Sequence, residues 1–161
     1  MTHRSSYTLE KVQLQSGFTS AAILDSKTKM PAQLVMKGKF TSDLYNDDYS
    51  KGDRRIVYFK PDALSVVELR KIFAVFTNDR ELETLGWTLK PFFSKDETVR
   101  LKLRFETKND FSTPKGFVSS DEESILNPKG LTAKIGLEVS TYYNDENKSA
   151  GLFFTVNEII F

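Results

Sequence analysis

The chain has 161 residues, a formal net charge of +1 at pH 7, one histidine and no cysteine. That length fits a single domain with a sizeable core, and the missing cysteines exclude disulfides, thiol nucleophiles and Cys-ligated zinc. A charge so near zero gives no global field toward nucleic acid or membrane, so any electrostatic partner has to be sought in local clusters. No run approaches the roughly 20 apolar residues of a membrane span, and the N-terminus MTHRSSYTLEKVQ lacks the apolar core of a secretory signal. These features predict a soluble protein of the cytoplasm, the host-cell cytoplasm if the source is viral.

Residues 1–6 are polar and read as a flexible tail. Tyr7 to Leu14 alternates loosely and predicts a short strand; Phe18 to Leu24 predicts another after the break at Gly17. Asp25 to Lys29 reads as a turn, and Met30-Pro31 restarts the chain in extended conformation. Gln33 to Phe40 is a strand in which Gly38 marks a bulge or a close backbone approach. Thr41 to Asp53 is loop-like and acidic, and it carries Tyr45 and Tyr49. Arg54 to Lys60 returns to strand character.

Pro61-Asp62 then opens the one helical region, with Ser65 and Glu68 spaced as a capping box. Leu69, Ile72, Phe73 and Phe76 follow as its apolar stripe, and Gly86 stops it. Trp87 to Phe93 reads as a short strand interrupted by Pro91. Thr98 to Glu106 alternates most cleanly, with Val99, Leu101, Leu103 and Phe105 on one face and Arg100, Lys102 and Arg104 on the other. Residues 107–130 read as a long polar loop, a length that in a compact domain points to function or disorder. The last thirty residues form a hairpin, LTAKIGLEVSTYY and GLFFTVNEIIF about the turn Asn144 to Ser149; the second strand is apolar on both faces and therefore needs cover on both sides. Seven or eight short strands and one inserted helix predict an all-β barrel or sandwich spanning residues 1–161.

Catalytic patterns are absent: His3 lies in the tail, and no Ser-His-Asp, HExxH or phosphate-loop motif occurs. Asp43, Asp47, Asp48 and Asp53 could gather oxygen ligands for a divalent cation, but their spacing matches no known loop and a solvated acidic turn is the better reading. The expectation is a protein that is not an enzyme and has no cofactor or metal. Basic residues, in contrast, recur on separate strands: Lys37 and Lys39 about Gly38, Arg54 and Arg55, and the row Arg100, Lys102 and Arg104 at about 6.5–7 Å intervals. Tyr45, Tyr49, Tyr58, Trp87 and Phe111 lie beside them in loops or near strand ends. Cations that neutralise phosphates next to aromatic faces that stack bases are how single strands are held without sequence choice.

With these residues in view the chain resembles the phage-encoded single-stranded DNA-binding proteins built on an OB-fold. The likeness is carried by the C-terminal hairpin, where Ala150-Gly151-Leu152-Phe153-Phe154-Thr155-Val156-Asn157 follows a Gly-hydrophobic-x-hydrophobic-x-Val-Asn pattern; elsewhere it is one of architecture. The resemblance implies an OB-like barrel that binds single-stranded DNA in replication or recombination, with replication or recombination proteins as partners, no membrane, and a homodimer as an open arrangement. Members of that class often end in an acidic tail; this sequence ends Glu158-Ile159-Ile160-Phe161. The alternative is a β-sandwich structural or virion-assembly protein, or a ligand-binding module, whose final strand pairs edge to edge with a second copy.

Overall fold

Alternating apolar and polar residues dictate most of the architecture, because a strand with one apolar face is stable only where that face is covered. A computed structural model describes residues 7–13, 19–45, 54–77, 84, 86–91, 96–109, 111–144 and 146–161. Its strands and helices run β1 (Tyr7–Gln13), β2 (Thr19–Asp25), β3 (Gln33–Phe40), β4 (Arg54–Pro61), α1 (Ala63–Thr77), β5 (Thr88–Leu89), β6 (Val99–Lys108), β7 (Phe111–Pro114), β8 (Val118–Ser119), α2 (Glu122–Leu126), β9 (Thr132–Asn144) and β10 (Ser149–Ile160).

β3, β4, β6, β9 and β10 form a ring. β3 pairs antiparallel with β4 and β9, β4 with β6, and β9 with β10. The ring closes where β10 meets β6 in parallel, Thr155 beside Lys102. Counted in chain order, the barrel strands run first, second, third, fifth, fourth around the ring, and the protein is an OB-like barrel rather than a sandwich. β1 and β2 make a separate hairpin, tied to the start of β3 by a bridge from Leu24 to Pro31.

The barrel is filled from every strand. Met36, Phe40, Val57, Phe59, Leu101, Leu103, Ile135 and Leu137 are all buried, and each large side chain contributes about 1.5–3 kcal/mol by leaving water. β10 meets its need for cover by alternating: Leu152, Phe154 and Val156 point in, while Phe153 is exposed. A register shift between Val156 and Glu158 resets the phase, so that Ile159 is buried again. The outer edge of β10 is occupied at Ser149 and Ala150 by β5, at Thr155 by β6, and at Glu158 and Ile159 by β8. At those positions it has no free edge for a second copy.

Two local expectations change. The helix cap is Asp62, not Ser65: the Asp62 carboxylate accepts the Ser65 N–H at 2.9 Å and its carbonyl accepts the Val66 N–H. Ser65 is buried instead, and its hydroxyl accepts the Lys37 N–H at 3.0 Å, which ties α1 to β3. The 107–130 loop holds β7, β8 and α2. Past the Thr155–Lys102 contact β6 takes β7 as partner and β10 takes β8, so this segment fills the seam of the barrel. Phe117 anchors it, edge-on to Phe105 at 5.8 Å, and Ile125 of α2 is fully buried. These strands escape the sequence because two to four residues give too little periodicity and their partners are far away in the chain. Phe161 packs against Phe40, with ring centroids 5.9 Å apart.

Candidate nucleic-acid interface

Residues directly opposite in an antiparallel pair share a face. On β4 the buried Val57 and Phe59 face inward, so Ile56, Tyr58 and Lys60 face outward. The β6 partners are Arg104 for Arg54, Lys102 for Ile56 and Arg100 for Tyr58. On β3 the outward Lys39 lies opposite Lys60, and Lys37 lies opposite Lys134 of β9. The register thus sets cation against cation at Lys39/Lys60 and Lys37/Lys134 on the outer face of β9, β3 and β4, and brings the backbone of Arg54 opposite Arg104 on β6. Like charges directly opposite destabilise a sheet, so a protein near neutral overall bears a locally strong positive face. The Asp62 carboxylate moderates it at one point, beside Lys37.

An aromatic pair stands in the middle of this face. Beyond Phe40 the chain stays on the edge of β4: the Thr41 N–H donates to the Tyr58 carbonyl, the Ser42 hydroxyl accepts the Tyr58 N–H, and Tyr45 and Ile56 exchange both backbone hydrogen bonds. Tyr45 therefore stacks on Tyr58, with ring centroids 5.9 Å apart and planes 25° from parallel. Ile56 faces outward yet is fully buried, with Tyr45 on one side and Lys102 on the other. Burial, aided by the Tyr58 hydroxyl, raises the Tyr45 phenol above its usual range, while the Arg100 guanidinium pulls it down. Tyr45, Tyr58 and Arg100 form one unit, and Tyr45 remains 37% exposed.

Lys37, Lys39, Tyr45, Tyr58, Arg100, Lys102 and Arg104 thus lie on the outward side of adjoining barrel strands, with Tyr45, Tyr58 and Arg100 clustered. Arg54 is placed there by its backbone register, and Tyr49 lies outside the described residues. Arg55 departs from the set: it shares the inward parity of Val57 and Phe59, sits opposite Leu103 and is half-buried. Trp87 departs as well. It is 9% exposed and packs in the core at the start of β5, so it is an anchor and not a stacking platform. Phe111 is 75% exposed at the tip of the β6–β7 hairpin, opposite Lys108 and beyond the end of the Arg100–Arg104 row.

Lys134 joins the face without having been singled out, and Lys60 joins it from the basic group that borders the tyrosine loop. Their outward parity was readable in the alternation, but their cross-strand partners were not. Of the candidate carboxylates, Asp43 accepts the Lys129 N–H at 3.3 Å, and Asp47, Asp48 and Asp53 lie outside the described residues. Among the described residues no cluster of three or more His, Asp or Glu could hold a metal ion, and no helix is long and apolar enough to cross a membrane. No protein-family model, curated protein or solved structure matches this chain.

Proposed function

We propose that this protein binds single-stranded DNA without sequence choice, in the replication or recombination of a phage or similar mobile element, and acts as a binder rather than an enzyme. The observation that carries the reading is the barrel register, which opposes cation to cation around the Tyr45–Tyr58 stack. A polyanion laid over that face relieves the repulsion and releases its own counterions, while the exposed ring of Tyr45 offers a face to a base. In OB-folds the face of the second and third barrel strands, with the loop joining the first two, is where oligonucleotides lie. Here those strands are β4 and β6, and the loop is the 41–53 segment that carries Tyr45.

The test is anisotropy titration of a labelled oligo-dT at low and moderate salt. Submicromolar binding that weakens steeply with salt is expected. Changing Arg100, Lys102 and Arg104 together to Ala should weaken binding and flatten the salt dependence, because both follow the number of phosphates neutralised. An affinity that ignores salt, or no binding to single strands of either sugar, overturns the reading.

A further inference from the structure

The closure seam places one more aromatic side chain beside this face. β10 runs parallel to β6 with Thr155 next to Lys102. Phe153 precedes Thr155 by two residues and Arg100 precedes Lys102 by two, so both share the outward parity of that bridged pair. Phe153 is 45% exposed in mid-strand, among the polar outward residues Ser140, Thr155 and Glu138. Its neighbour Gly151 lies under Tyr142: a side chain there would meet the Tyr142 ring at 2.8 Å, so the ring lies across the glycine and continues the aromatic surface toward the β9–β10 turn. Arg100 is paired with Tyr58 on the β4 side, and Phe153 stands two residues before the seam contact on the β10 side.

We propose that the nucleic-acid track crosses the barrel seam from β6 onto β10, where Phe153 stacks a base on the far side of Arg100 from the Tyr45–Tyr58 pair. The proposal rests on the single-strand reading and extends it to the β9–β10 hairpin. One cation between two aromatic platforms holds a phosphate while the bases on either side of it stack, which is the alternation that a sequence-tolerant site uses. An isolated exposed phenylalanine would need no explanation; one that shares the outward face of the seam with a neighbouring basic row has a use.

The test compares oligo-dT affinity and its salt dependence for the wild type, Phe153→Ala, Phe153→Trp, and Met30→Ala as an exposed apolar control on the β2–β3 turn. Phe153→Ala should weaken binding by about fivefold to about 150-fold, the worth of one stacked base. The slope of log K against log salt should stay that of the wild type, because no phosphate contact is lost. Phe153→Trp should bind as the wild type does and show fluorescence quenching on saturation. Wild-type affinity in Phe153→Ala, an equal loss in Met30→Ala, or a Phe153→Trp signal that ignores DNA each overturns the seam crossing. If the Arg100/Lys102/Arg104 variant still loses binding in that case, the single-strand reading stands without it. A wild type that binds no single strand overturns both.

Discussion

Gly38 shows how closely single residues are held. It is opposite Pro61 on β4, and a side chain added there would fall onto the Lys60 carbonyl, with the Pro61 Cα only 2.8 Å away. Neither neighbour can move, because both are sheet backbone. Gly38→Ala should therefore cost about 1–3 kcal/mol or more, read as a lower urea midpoint. Trp87 makes a different point: as a core anchor it should fluoresce as a buried indole and respond weakly to oligonucleotide, and Trp87→Ala should lose about 3–5 kcal/mol. Lys60 separates stability from binding. Lys60→Glu turns a like-charge pair with Lys39 into an opposite one and should stabilise the free protein by about 0.2–1 kcal/mol. The same change should weaken oligo-dT binding, so thermal shift and titration move in opposite directions.

Among the elements, α1 depends on a cap that also senses pH. The Ser65 N–H and hydroxyl at the Asp62 carboxylate hold it below the usual carboxylate range, and Lys37 adds to the effect. Asp121 is lowered by Ser124 and Glu123 at the start of α2, and Asp25 by the Thr28 and Lys27 amides in the β2–β3 turn. A carboxylate lowered in the folded state binds fewer protons there than in the unfolded chain. Its contribution is fully present above the unfolded value of about 3.9 and is lost as pH falls through the folded value. The urea midpoint should thus hold near neutrality and drop below about pH 4. Asp62→Ala should cost about 1 kcal/mol at neutral pH and make the acid limb shallower; an unchanged limb would show that this cap is not what titrates.

At the scale of the whole molecule, near-neutral charge and strong local charge coexist because the strand register gathers cations on one face. Glu106 and Glu138 share the outward parity of the basic strands, and other acidic side chains stand apart, at Asp121, Glu122 and Glu123 around α2 and at Glu68 on α1, where it pairs with Lys71 at 3.1 Å. A protein arranged this way should bind single strands with a salt slope set by that face and not by its net charge. At about 0.7 per phosphate neutralised on a single strand, contact with four phosphates gives a slope near about −3. Salt titrations of affinity would measure it directly, and a slope near zero would mean that the face is not used.

Much of this was legible in the chain. The strands Gln33–Phe40 and Val99–Lys108 and the C-terminal hairpin announce themselves by a period of two, α1 by its apolar stripe, and Gly38 by being a glycine inside a strand. Period and turn chemistry are local properties, so local sequence determines them. Pairing is not local. That Lys39 faces Lys60, that Lys37 faces Lys134, that Arg55 sits opposite Leu103, and that Thr155 meets Lys102 across a parallel seam all depend on which strands meet and in what register. The same holds for Trp87, whose ring the closing of β5 on β10 buries, and for the seam filled by β7, β8 and α2. Sequence alone determined which faces were apolar and which were charged; the closed barrel decided which charges became neighbours, because a one-residue slip in register would send each to the opposite side of the sheet.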